Sequence, residues 1–255
     1  MVMKKGFWII LCMFFIPPVT FAGNMKLHYD RPAEYFEEAL VIGNGTMGAT
    51  LYGGVKKDKI SFNDITLWTG EPESENSSPD AFNTIPEIRA LLDNEDYQGA
   101  DKAQYKVQGH YSENYQPLGT LTIEYLDDTA GISDYHRWLD IGNATARTQY
   151  LKDGELFTSD YFASAPDSVI VIRLKSENKE GIHALLSFDS PLPHSSQVAD
   201  NEISVEGYAA YHSFPVYYKA EDKHRYDPER GIHFKTLVRV LSVDGRVKNR
   251  YSDSR

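Results

Sequence analysis

The 255-residue sequence predicts an all-β protein, a large antiparallel β-sandwich with a short helical insertion at about 84–107. Three observations lead there. Short segments alternate apolar and polar residues with period two, turn signals separate them at regular intervals, and one segment alone switches to helical spacing. Repeated short strands of this kind make sandwiches rather than βαβ folds.

Leader and composition come first. Met1–Asn24 carries Lys4 and Lys5, an apolar run Phe7–Ile16 and a small-residue exit at Thr20-Phe21-Ala22. That order is a secretory signal over residues 1–22, with cleavage expected after Ala22. The apolar run is far shorter than the ~20 residues of a membrane span, so no stable span is expected. The only cysteine, Cys12, lies in this leader, so a mature chain has no disulfide, no thiol nucleophile and no cysteine metal site. Lys4 and Lys5 leave with it, so 24 basic residues face 37 acidic ones and the net charge is −13. A surface of that sign repels phosphate backbones, which excludes nucleic acid as an expected partner. The mature chain has no low-complexity linker or internal repeat, and residues 25–255 are expected to be one domain.

The first strands surround Gly43-Asn44-Gly45-Thr46-Met47-Gly48, which matches G-x-G-x-x-G, with Asp64 about 20 residues on, as a dinucleotide fingerprint asks. That fingerprint needs a helix after the glycines to hold the pyrophosphate. Here Ala-Thr-Leu-Tyr-Gly-Gly-Val follows, and the next strand-like run, Ile60–Phe62, leaves no room for a helix. A hairpin from Leu40–Gly43 to Gly48–Tyr52 is predicted instead, with Asn44-Gly45 as its two-residue tip. No nucleotide cofactor is expected, nor any other cofactor.

The helical segment follows. Thr84 and Glu87 form a capping box, Ile85, Ile88, Leu91 and Leu92 share a face, and a second helix is expected over Glu95–Tyr105. It ends near the loop Gly109–Gly119. Strands are then predicted at Leu121–Tyr125, Phe157–Phe162, Val169–Leu174, Ala184–Phe188, Glu202–Val205 and Leu237–Val243. A turn at Asp244-Gly245 and a returning strand should follow the last of these. Because the chain stops soon afterwards without a closing element, it is expected to be a fragment of a longer protein. Trp138, Tyr150, Tyr161 and Phe162 are assigned to the core, since aromatics dominate β-sheet interiors.

The chemistry-bearing residues are sparse. Glu34, Glu37, Glu38, Asp64, Asp140 and Asp160 form no distinct carboxylate pair, and each is expected as a solvated charge. The eight histidines lack metal-ligand spacing, and no G-x-S-x-G elbow occurs. The best candidates for ligand contact are Asn63, Trp68 and Thr69, in the turn after Phe62, with Tyr111, Tyr115 and Gln116 in a second loop. An aromatic face beside directional hydrogen-bonding groups suits a sugar. For Trp68 the competing expectation, burial beside Leu67 as a plug of the sandwich, is the preferred one.

The residues also resemble a known family. Leu27-His-Tyr-Asp-Arg-Pro-Ala-Glu-Tyr-Phe-Glu-Glu-Ala-Leu-Val-Ile-Gly-Asn-Gly-Thr-Met-Gly-Ala49 is similar to the opening of the N-terminal domain of glycoside hydrolase family 95, the 1,2-α-L-fucosidase family. The likeness continues through Gly53-Gly54-Val55 and Ile60-Ser-Phe-Asn-Asp-Ile-Thr-Leu-Trp-Thr-Gly70. Further matches are Pro86–Arg89, Tyr115–Gly119, Tyr135–Asp140 with Thr145-Ala146, Tyr161–Asp167, Val169–Leu174 and Ser190-Pro191-Leu192. Ser61-Phe62, Asp64-Ile65 and Thr69 depart from the family's usual residues. The resemblance implies an N-terminal β-sandwich whose parent enzyme holds its glycan substrate and catalytic acids in a separate (α/α)6 barrel, so no catalytic residue is assigned to this chain. A free-standing carbohydrate-binding module is the rival reading.

Overall fold

The computed structural model describes residues 25–72, 80–109, 112–242 and 245–248. The leader, Tyr111 and the Asp244 half of the predicted final turn lie outside them. Its strands are β1 (Lys26–Tyr29), β2 (Leu40–Gly43), β3 (Met47–Leu51), β4 (Lys57–Asp64), β5 (Gly119–Tyr125), β6 (Ile132–Asp140), β7 (Thr145–Lys152) and β8 (Glu155–Ser164). They continue as β9 (Val169–Ser176), β10 (Ala184–Asp189), β11 (His194–Ala199), β12 (Glu202–Tyr208), β13 (His212–Ser213), β14 (His224–Arg225) and β15 (His233–Arg239). Two helices, α1 (Ala81–Asp93) and α2 (Tyr97–Gln104), fall between β4 and β5.

Two five-stranded antiparallel sheets form the sandwich. One runs β1-β6-β7-β8-β9, the other β10-β5-β4-β3-β2. Alternation explains why they stack: in β5, Leu121, Ile123 and Tyr125 turn inward while the residues between them are less buried. Leu40, Ile42, Leu51 and Ile60 face Ala146, Tyr150, Phe157 and Tyr161 across the interface. Aromatic rings run through it: Tyr150 stacks on Phe157 at 4.8 Å between centroids, and Tyr125 meets Phe157 edge-on at 5.3 Å. A third sheet, β11-β12-β15, adds Val205 to the same core.

Two charged side chains are sunk in this interior. Asp58 on β4 is 1% exposed, accepts hydrogen bonds from the Tyr161 hydroxyl at 2.7 Å and the Gly54 amide at 2.9 Å, and so ties one sheet to the other. Burial pushes its carboxyl up to about 6, and those hydrogen bonds pull the other way. Arg137 on β6 donates to the carbonyls of Arg31 and Glu38, both at 2.8 Å, beneath the face of Tyr29. It clamps the segment between β1 and β2 onto the first sheet.

Several local expectations need correction. The β2–β3 hairpin forms, but Gly45-Thr46 is its centre, and Gly45 takes the left-handed φ of +97°. Asn44 sits one step earlier, where its Oδ1 accepts from the Thr46 and Met47 amides and its Nδ2 donates to the Ser164 carbonyl of the other sheet. β3 leads directly into β4, so the glycines open no helix. α1 begins at Ala81, three residues before the predicted capping box, and the Thr84 hydroxyl donates to the Asp80 carbonyl one turn back. The last strand lies at 233–239 rather than 237–243, and the described residues 245–248 carry no returning strand. Tyr150 and Tyr161 are core as expected, whereas Phe162 is 38% exposed. Trp138 lies half-buried under Lys26 and Arg147.

Candidate functional site

Two long connections meet at one end of the sandwich. The first, 65–118, joins β4 to β5 and carries the helices, and the second, 209–232, joins β12 to β15. Asp64 starts the first with an Asx turn, its Oδ1 accepting from the Thr66 amide at 2.9 Å. The chain then makes an isolated antiparallel bridge between Trp68 and Tyr115, and the Gln116 amide donates to the Leu67 carbonyl at 2.9 Å. Bridge parity sends Leu67 and Gln116 inward and Trp68 and Tyr115 outward.

Trp68 is therefore no plug. It is 43% exposed, packs on the 42%-exposed Tyr115 with ring centroids 5.4 Å apart, and donates from Nε1 to the Ile65 carbonyl at 3.0 Å. Leu67 alone fills the sandwich there, in a small satellite core with Leu192 and Ala209. Asn63 is half-buried, its Oδ1 accepting from the Leu118 amide at 3.3 Å.

Thr69 has a different environment. It is buried, donates to Glu113 and accepts from the Asn114 amide at 2.9 Å. Glu113 also receives the Ser213 amide at 3.0 Å and pairs with His212 Nδ1 at 2.8 Å. Asn114 donates to the Ser213 hydroxyl at 2.9 Å, and that hydroxyl lies 2.8 Å from His224 Nδ1. This polar cluster stitches the two connections together, helped by the Gly70 amide on the Ala210 carbonyl and a forked Arg230–Glu71 pair. Gly70 holds a φ of +107°, and a Cβ there would lie 2.7 Å from the Glu113 side chain, so the close approach depends on glycine. The structure thus leaves Asn63 in β4, just before the turn that carries Trp68 and Thr69, and gives Thr69 a fastening contact; of the three candidates only Trp68, packed on Tyr115, presents a broad face to solvent.

Glu113, His212 and Ser213 were missed as a unit because they lie about 100 residues apart in sequence. The loop Gly109–Gly119 marked one half, and no local pattern marked the other. The cluster is no nucleophile triad: Ser213 is fully buried, and its histidine and Glu113's histidine are different residues. Among the described residues no group of three or more His, Cys, Asp or Glu could hold a metal ion, and no helix is long and apolar enough to cross a membrane. Asp160, expected as a solvated charge, lies half-buried between Arg147 and Arg173.

Comparison with known proteins identifies this architecture. A family model described as "Glycosyl hydrolase family 65, N-terminal domain" matches residues 27–254. The chain belongs to that family. It is 30% identical over 228 residues to the Arabidopsis thaliana protein named "Alpha-L-fucosidase 2", which covers 87% of this chain and 27% of the relative. It is 28% identical over 179 residues to the "Probable alpha-fucosidase A" of Aspergillus niger, and 28% identical over 145 residues to that of Aspergillus oryzae. The family match and these relatives agree with the resemblance to the N-terminal domain of family-95 fucosidases. The chain spans about a quarter or less of the length of these relatives, 27%, 22% and 20% in turn.

Proposed function

We propose that this glycoside hydrolase N-terminal domain packs against a downstream catalytic domain and walls the mouth of its active site, with the parent reaction an inverting hydrolysis of an α-linked fucose or a related sugar. The outward Trp68–Tyr115 pair carries the proposal: a broad aromatic face is stable in contact with a sugar or a partner surface, and it is built here on a turn locked by Thr69 and Glu113. Asn63, Trp68 and Thr69 are the proposed substrate-side residues, with Trp68 in contact and Thr69 holding the turn.

Docking is supported by exposed apolar groups on the two connections that meet beside that pair. Phe82 is 83% exposed, and Ile85, Leu92, Tyr97, Tyr105, Val216 and Tyr217 are exposed on the same two connections. On α1, Phe82, Ile85 and Leu92 are exposed, while Ile88 and Leu91 beside them are half-buried and Thr84 is buried. Helices α1 and α2 pack chiefly on each other rather than on a strand, and these three side chains remain open to solvent. Apolar groups gathered this way favour a docking face over a closed carbohydrate-binding module. In an enzyme joining this domain to its catalytic domain, Trp68→Ala should lower kcat/KM on a fucosylated glycan about ten-fold while leaving the melting midpoint in place. An unchanged kcat/KM would remove the wall.

Export is part of the same proposal. Protein recovered from a periplasmic or culture fraction should begin at Gly23, and N-terminal sequencing that returns Met1 would contradict it.

A further inference from the structure

The outward face of β11-β12-β15 carries a second surface that the Trp68 turn does not use. Strand register places its side chains in rows. Ser195, Glu206 and Lys235 are direct cross-strand partners, and Tyr208 pairs with His233 in the next row of the same face. Successive rows on one face of a sheet are about 7 Å apart. Lys235 Nζ donates to Glu206 Oε1 at 2.5 Å, and both side chains remain more than half exposed. The Tyr208 ring leans on His233 at 5.9 Å, and Tyr226 meets it edge-on at 6.5 Å. These residues line or border an open cleft of about 760 Å³.

An aromatic row beside a self-neutralising acid–base row is selective chemistry. The ring row offers a flat apolar face, and the polar row offers an acceptor and a donor side by side. An ionic ligand gains little, because Glu206 and Lys235 already cancel one another. A neutral ring with an apolar face and adjacent hydroxyls satisfies both rows, since one hydroxyl donates to the carboxylate while its neighbour accepts from the ammonium. We propose that this cleft is a secondary glycan-binding site that takes a neutral pyranoside, with Tyr208 as platform and Glu206 and Lys235 reading a vicinal diol. The choice of a sugar among neutral ligands rests on the glycoside-hydrolase reading, but the site is separate from the Trp68 turn and operates in this chain alone. It would hold a polymeric glycan against the domain while a chain end is processed elsewhere.

The test uses the 255-residue chain with L-fucose and a fucose-terminated trisaccharide as probes, followed by titration calorimetry and amide chemical shifts. Wild type should bind with Kd near or below about 1 mM, with shifts centred on residues 195, 206–208 and 233–235. Glu206→Gln and Lys235→Met, both exposed, should fold normally and weaken binding about ten-fold each. Tyr208→Ala should abolish it, and Tyr208→Phe, which keeps the platform, should stay within about three-fold of wild type. Trp68→Ala should leave this binding intact. No binding of either probe, or unchanged affinity in Glu206→Gln and Lys235→Met, overturns the inference. Sugar binding lost only in Trp68→Ala overturns it too, while supporting the wall at the active-site mouth. Binding at the cleft with no effect of Trp68→Ala on the parent enzyme's kcat/KM supports the cleft and removes the wall.

Discussion

Asp58 makes the interior sensitive to pH. Its carboxyl titrates at about 6 in the folded chain against 3.8 ordinarily, so between those values the folded state holds a proton that the unfolded state has released. That contribution is fully present below about pH 4 and is lost as pH rises through 6, by on the order of 3 kcal/mol. Denaturant titrations should show it as a fall in unfolding free energy over that interval. In Asp58→Asn the fall from this group should vanish, and an unaltered slope would mean that Asp58 is ionised in the folded state at low pH. Asp58 shows what one residue type can hide. Its position on β4 was readable from the run around Ile60, but a buried carboxylate looks like any other aspartate until the Tyr161 hydroxyl comes across from the other sheet. Trp68 is the opposite case. The sequence held the needed information in the alternation of Leu67 and Trp68, and only one of two adjacent residues on an extended bridge can point inward.

At the scale of elements, strands with strict alternation were legible because each carries its own burial pattern, as β5 does from Leu121 to Tyr125. β6 was legible only around Trp138, because Asp134 takes a φ of +50° at a bulge between Ser133 and His136, and the period breaks there. The boundary of α1 was misplaced for a related reason: Thr84 and Asp80 are both good capping residues, and the backbone chose the earlier start. The joined connections were least legible of all, since Glu113 meets Thr69, His212 and Ser213 across separations of 44 to 100 residues. Their fastening makes a clear prediction. Glu113→Ala removes a carboxylate that accepts three hydrogen bonds and should cost about 2 kcal/mol locally. Hydrogen exchange at the Ser213, Thr69 and Asn114 amides should accelerate while β7 and β8 stay protected. Uniform acceleration across the sandwich would mean the cluster is part of the global fold rather than a latch. The exposed apolar residues of α1 behave differently. Phe82→Glu with Leu92→Glu should shift stability by under about 1 kcal/mol, because neither side chain is buried, and should reduce self-association of the chain in sedimentation measurements.

At the scale of the whole molecule, the features combine into a domain whose interior is finished and whose one end is not. The sheets bury Asp58 and Arg137 with their hydrogen-bonding partners, and the aromatic stack between them is continuous. The two long connections instead leave aromatic and aliphatic groups exposed, Trp68 among them. The chain spans only about a quarter of the length of its relatives, which is in keeping with the proposal that this end faces a catalytic domain. The family was legible from ordered motifs along residues 27–245, but the proposed docking end was not, because a sequence pattern does not reveal which apolar residues stay exposed. The most direct measurement is the kcat/KM of Trp68→Ala on a fucosylated glycan, made in the enzyme that joins this domain to its catalytic domain. A fall of about ten-fold with an unchanged melting midpoint is the predicted result. A wild-type kcat/KM would contradict the account.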